Sequence, residues 1–266
     1  MTLPLTKVCD AADWFDADVL RVVREELREP PRFHRKQWEF ALVYHALERL
    51  GLLGASCEGL VLGGGRERLL YAVAPRVRRL LVTDLYAPDT PWKEARTDDP
   101  ERYVREGAPF PCDLRTLQVR RMDMRELALP DGGFDFAYSC CAIEHIGGAA
   151  DFAHHLREVF RVLRPGGAYA FTTEFHYGAE TIADPENYVF GVEGLRALVE
   201  ESPFVAERAC ASRLAPHRAN LPLPEDVGQL FAHRGLGFLL GELPHVQLLR
   251  GALPHSSALV VLRKTG

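Results

Sequence analysis

The feature that most constrains the fold is a short apolar run that ends in three glycines and passes straight into a helical period: GLVLGGGRERLLYAVA, residues 59–74. A second apolar run, RRLLVTD (78–84), closes on an acid, and a strand-like QVRRMDM (118–124) precedes a loop. PDGGFDFAYSCC (130–141) reads as a turn and a strand, and AYAFTTEF (168–175) as another strand. Between them, Phe152, Leu156, Val159, Phe160 and Leu163 mark one face of a helix over 149–163 that ends at RPGG. These strands are continuous apolar runs with no polar face, and helices alternate with them. That pattern predicts an α/β fold whose mostly parallel sheet is covered by helices on both sides.

The alternation continues to the end of the chain, with VEGLRALVEE as a helix and PFVAERACAS and SSALVVLRKTG as strands. Residues 10–50 read as two helices separated by the breaker Pro30–Pro31, the second running from about Arg35 to Leu50 with Trp38 in the core. The organisation expected is a helical cap over 1–50 and one domain over 51–266. A Pro-, Leu- and His-rich segment at about 213–255 is inserted before the last strand, and a connection of that length is commonly functional.

Net charge excludes some partners. With 32 basic and 37 acidic side chains, net −5, the chain has no broad electrostatic footprint for nucleic acid or an anionic membrane. No run approaches the ~18–20 apolar residues of a membrane span, and the first twenty residues carry acids where a signal peptide needs a basic end, so a cytoplasmic location is expected. The six cysteines (9, 57, 112, 140, 141, 210) lack CxxC spacing and are read as thiols, with no zinc site and no metal.

Gly63-Gly64-Gly65 falls at a strand-to-helix junction, where glycine lets the backbone turn and lets a ligand approach the main chain. Asp84 lies 19 positions after Gly65, at the end of the next apolar run. A carboxylate there suits the ribose diol of an adenosine-containing cofactor, although capping of the next turn is also open to it. A dinucleotide loop asks for G-x-G-x-x-G, but here Glu67 and Arg68 follow the glycines. Glu67 opposes a pyrophosphate and suits the ammonium of S-adenosylmethionine, with Arg66 or main-chain N–H groups for its carboxylate. Glu67 facing water at the helix start is the alternative.

In this order the segments resemble the class I S-adenosylmethionine-dependent methyltransferase family, over roughly residues 55–212 and the final strand. GLVLGGGRERLLYAVA is similar to the family's first motif and RRLLVTDLY to its second, with Asp84 in the ribose place and Leu85 beside it. RRMDMRELALPDGGFDFAYS resembles the adenine loop, which implies Asp123 near the exocyclic amine and Met124 beside the ring. FDFAYSCCAIEHIGG, with Cys140, and FRVLRPGGAYAFTTE resemble the fourth and fifth strands and their flanks. The resemblance implies a Rossmann-like, seven-stranded sheet with an antiparallel last strand. The chain departs from the family in having Val61 where an acid often stands and Glu67 where a third glycine often stands.

Methyl transfer from a sulfonium needs chiefly positioning of the acceptor, and sometimes a base. His145, after the fourth strand, and Glu174 with His176, after the fifth, are the candidates, because open α/β sheets bind ligands at the carboxyl ends of their strands. Structural roles are open to each, as loop solvation, helix caps or hydrogen-bonding elements. His154-His155 reads as surface and packing, and Tyr86 and Trp92 as loop anchors or pocket walls. His34, Arg35, Lys36 and Trp38 are weaker candidates for substrate contact. The expected reaction is methylation of an oxygen or nitrogen of a small-molecule acceptor, by a chain that is open to forming homo-oligomers. A cofactor-binding module without catalysis and a nicotinamide-dependent oxidoreductase are the rival readings.

Overall fold

The structure, a computed structural model, describes residues 3–183, 187–206, 210–227 and 243–266. In chain order its strands and helices are β1 (Lys7–Val8), α1 (Ala17–Arg21), α2 (Arg35–Arg49), β2 (Glu58–Leu62), α3 (Arg68–Val73), β3 (Arg79–Asp84), α4 (Pro100–Glu106), β4 (Leu117–Arg121), β5 (Phe134–Cys140), α5 (Ala149–Val162), β6 (Leu163–His176), β7 (Ile182–Ala183), β8 (Tyr188–Val189), α6 (Val192–Glu200), β9 (Val205–Ala206), β10 (Leu223–Pro224), β11 (Leu248–Arg250) and β12 (Leu253–Arg263). The main sheet has the order β10-β11-β12-β6-β5-β2-β3-β4. Strands β2 to β6 are mutually parallel, and β12 runs antiparallel to β6 over nine paired residues from Ala168↔Arg263 to His176↔His255.

The chain leaves β2 toward β3 and β4 on one side and resumes with β5 on the other. The strand order therefore reverses beside β2, which opens a crevice above the carboxyl ends of β2, β3 and β5. Side-chain alternation along the strands feeds two cores. Val61, Val82, Tyr138, Ala170 and Val261 face the core shared with α2 and α3. Leu60, Leu81, Ala137, Tyr169 and Val260 face the one shared with α5 and α6.

The amino-terminal segment differs from the expected pair of helices. Residues Ala11–Phe15 form a 3-10 turn, and α1 continues as a π-helical turn over Val22–Glu26. Its Trp14, Val19 and Leu27 share a core with Val61 and Val82, and Trp38 of α2 is buried there as predicted. β1 was not foreseen and pairs antiparallel with β12.

The seven-stranded expectation is also modified. The outer edge of β12 is covered by three short segments, β9, β1 and β11, in place of one long strand. Of PFVAERACAS, only Val205–Ala206 forms described strand, and 207–209 lie outside the described residues. The expected insert forms the 3-10 turn Arg218–Asn220 with β10 and β11, and its residues 228–242 lie outside the described residues. All six cysteines are unpaired thiols. Among the described residues, no helix is long and apolar enough to cross a membrane.

His155 of α5 is fully buried, its Nδ1 2.8 Å from the Met124 carbonyl and its Nε2 3.0 Å from the Tyr169 hydroxyl. Burial lowers its pKa from 6.5 to about 4, so the folded protein keeps it neutral where the unfolded chain protonates it. Its contribution is complete above pH 6.5 and is lost as pH falls toward 4, by about 1.4 kcal/mol per pH unit and roughly 3 kcal/mol in all. Urea midpoints measured at pH 7, 5.5 and 4 are expected to fall more steeply for the native chain than for His155→Gln. Parallel profiles would remove this role.

Candidate active site

A cleft of about 460 Å³ occupies the crevice above β2, β3 and β5, within the range of cofactor pockets. Its floor is the turn after β2. Gly63 (φ +65°) and Gly65 (φ +46°) line it in the left-handed region that disfavours side chains. The turn is also crowded. A Cβ on Gly63 would stand 2.5 Å from the Ala142 Cβ, and one on Gly65 would stand 2.9 Å from the Glu94 carbonyl oxygen. Gly64 instead faces the sheet, toward Val61 and Val82, and does not line the cleft.

Asp84 lines the cleft at the end of β3, its Oδ2 accepting from the Gly65 amide (2.8 Å) and its Oδ1 from the Leu85 amide (2.7 Å). Burial lifts its carboxyl above the usual range against the pull of those amides. It thus ties β3 to the glycine turn while facing the cavity. Leu85 lines the rim, and Tyr86 is a loop anchor, its buried hydroxyl donating to the Gly65 carbonyl.

Asp123 and Met124 also line the cleft, as does Cys140 at the end of β5. A bidentate ion pair with Arg125 holds the Asp123 carboxyl below the usual range. Its Oδ1 also accepts from the Arg125 amide (2.9 Å).

Glu67 also lines the cleft. Its Oε2 is buried and has no hydrogen-bond partner among the described residues. Burial pushes that carboxyl up to about 8, with Glu39 and Asp84 pushing the same way and Lys36 opposing. A buried, unsatisfied carboxyl oxygen is costly to maintain unless a ligand completes it.

Besides Gly64, the candidates Arg66, Glu174 and His176 are not brought to the cleft. Arg66 points away, its guanidinium over the Tyr103 ring (4.6 Å) and 3.7 Å from Glu94, because the turn projects it to the outer side. Glu174 is buried and binds Arg35 (2.8 Å), Asn187 (2.9 Å) and Arg250 (3.3 Å). Despite burial, those partners hold its carboxyl down at about 2, far from what a base requires at neutral pH. His176 has its Nδ1 accepting from the Gly178 amide (3.1 Å) and its Nε2 2.7 Å from the Glu180 carbonyl, so both ring nitrogens are occupied by backbone. Both residues lie within the paired length of β6, opposite Ser257 and His255 of β12, and not in the loop where the sequence placed them.

His145 does reach the cleft. It ends the 3-10 turn Ile143–His145 after β5, and its ring lies 4.2 Å from that of Trp92, which comes from the loop after β3. The neighbouring Glu144 is structural, accepting from the Thr173 hydroxyl (3.0 Å) and the Glu174 amide (3.3 Å). Lys36 of α2, a minor candidate from sequence, is a wall of the cavity. Its Nζ donates to Glu39 (2.9 Å) and to the Cys140 carbonyl (3.4 Å). Among the described residues, no group of three or more His, Cys, Asp or Glu side chains is placed to hold a metal ion.

Residues 60–171 match the model of a methyltransferase domain. A Mycolicibacterium smegmatis protein assigned as an S-adenosylmethionine-dependent methyltransferase is 32% identical over 96 residues, 34% of this chain. The match spans only 36% of that relative. Among solved structures, a protein assigned as a sarcosine dimethylglycine methyltransferase, from Galdieria sulphuraria, superposes with a TM-score of 0.55 at 18% identity, over 86% of this chain and 85% of that one. A chain from a Haloferax volcanii complex between a methyltransferase and a methyltransferase activator gives 0.52 at 16% identity, over 98% and 100%. At these identities the structural likenesses show the fold.

Proposed function

We propose that this chain, a member of the class I S-adenosylmethionine-dependent methyltransferase family with that compound as its cofactor, methylates an oxygen or nitrogen of a small-molecule acceptor. The observation that carries the reading is the orphaned Glu67 carboxyl buried at the glycine turn. The cradle fits the group. Gly63 and Gly65 admit it to the main chain, Glu67 suits its ammonium, Asp84 suits the ribose hydroxyls, and Asp123 with Met124 suits the adenine. The third glycine of a dinucleotide loop is absent, Arg68 standing in its place, and that broken fingerprint disfavours a nicotinamide dinucleotide.

The bound cofactor supplies a methyl group already activated on sulfur, which leaves positioning, exclusion of water and any proton transfer to the protein. Trp92 and His145 meet across the cleft, one from each loop, and form a wall for the acceptor. His145 is the one base candidate from the sequence that lines the cavity, and we assign it to take the acceptor's proton on a ring nitrogen. The net charge of −5 supports a small acceptor over a polyanion.

Calorimetric titration with S-adenosylhomocysteine and with NADH tests the cofactor, and binding of NADH alone would overturn the reading. Methyl transfer from labelled cofactor to a panel of amines, carboxylates and phenols then tests the acceptor class. His145→Ala is expected to lower kcat about 10²-fold or more with little change in cofactor affinity. An unchanged kcat at saturating acceptor would reduce the chemistry to positioning.

A further inference from the structure

Glu67 stands where the family often has a glycine, and Val61 stands where it often has an acid, so this chain meets the amino-acid end of its cofactor in its own way. Every element around Glu67 presents a titratable group to it. Lys36 and Glu39 come from α2, Asp84 from β3 and Cys140 from β5, and the Tyr86 and Tyr138 hydroxyls also feel its charge. Lys36 is half-buried and lines the same cavity. Two of its three N–H donors go to Glu39 and to the Cys140 carbonyl, and the third has no acceptor among the described residues. An acid with a spare oxygen and a cation with a spare donor thus face one cleft, 31 residues apart in sequence and on different elements.

We propose that Lys36 and Glu67 act as one specificity-determining pair that reads the cofactor's amino-acid end, Lys36 taking its carboxylate and Glu67 its ammonium, with loss of the Glu67 proton to solvent on binding. This rests on the cofactor reading above and adds to it a residue of the amino-terminal segment and a proton count. The balance is simple. Glu67 enters as the neutral acid, leaves as the carboxylate paired with the ammonium, and one proton passes to the buffer. The neutral starting state follows from burial, with Glu39 and Asp84 adding, which pushes the Glu67 carboxyl up to about 8. Since binding requires the ionised form, affinity should rise as pH rises toward 8, approaching tenfold per pH unit.

The test needs two ligands that share the nucleoside and thioether. S-Adenosylhomocysteine carries the amino-acid end, and 5′-methylthioadenosine does not. Titrating the full chain calorimetrically at pH 7 in phosphate and in Tris gives the protons released by each ligand. The expected result is close to one proton for the first ligand and close to none for the second. Lys36→Met is expected to weaken the first about tenfold or more and the second less than about twofold, the second also reporting that the cleft is intact. Glu67→Gln should abolish the proton release. Equal proton counts for the two ligands, or equal weakening of both by Lys36→Met, would overturn the pair while leaving the cofactor reading in place. Failure of both ligands to bind the native chain would overturn the pair and the cofactor reading together.

Discussion

Gly63→Val is expected to reduce S-adenosylhomocysteine affinity at least about 100-fold and to destabilise the chain by about 2–5 kcal/mol. Two effects add. At φ +65° any side chain is strained, which costs about 1–2 kcal/mol. The new Cβ would also stand 2.5 Å from the Ala142 Cβ, so the turn after β2 and the loop after β5 must separate. Those are two walls of the cleft, so the strain is relieved by deforming the site itself. Gly65→Ala should do less harm, although its φ is also positive. Its Cβ meets the backbone of Glu94 at 2.9 Å, and that residue belongs to a long connection that can withdraw without moving a strand. Calorimetric titration of both variants, with thermal melts alongside, checks the order. Retained affinity in Gly63→Val would mean that the turn does not hold the ligand.

The second large effect concerns Glu39. Its carboxylate is fully buried between α2 and the sheet, where it accepts from Lys36, from Thr172 (3.2 Å) and from Ser257, and lies 3.9 Å from Arg35. Those partners keep its carboxyl below the usual range in spite of burial. Removing one member of such a set leaves uncompensated charge in a poorly solvated place, and Glu39→Ala should cost about 3–5 kcal/mol. For a chain of this size that is a fall in Tm of roughly 10 °C. Glu39→Gln keeps the shape and two of the hydrogen-bond geometries and should lose about half as much. A Glu39→Ala variant melting within about 2 °C of the native chain would show that Arg35 and Lys36 find other partners.

Much of the sheet was legible because buried parallel strands are apolar on both faces and their helices carry a clear period. Helix α5 was expected over 149–163 and spans Ala149–Val162, and α2 was expected from about Arg35 to Leu50 and spans Arg35–Arg49. The glycine turn with Asp84 was legible for the same reason: strand, turn and acid follow one another within one supersecondary unit. Glu174 and His176 were placed after the strand because local pattern does not reveal that β6 stays paired with β12 through Glu174 and as far as His176. Their neighbours in space come from residues about 80 positions later, and the sequence offers no local signal of that register. Arg66 failed for a different reason, since the direction of a side chain leaving a tight turn depends on backbone angles that composition does not encode. Lys36 was only a weak candidate because its place depends on how α2 docks across β5, a contact 104 residues long in sequence.

The covering of β12 by β9, β1 and β11 also bears on how the molecule assembles itself. Those segments come from around residues 205, 7 and 249, and each contributes only two or three residues of pairing. None is long enough to form a stable ladder alone, and while β11 folds back on β12 through a tight hairpin, β9 and β1 must each close a long loop before they gain anything. The part of the rim that β9 and β1 form therefore closes only after the parallel strands have joined. Until then β12, apolar and buried over Ala258–Leu262, presents bare amide and carbonyl groups, a template for a neighbouring chain during folding that the finished molecule has sealed.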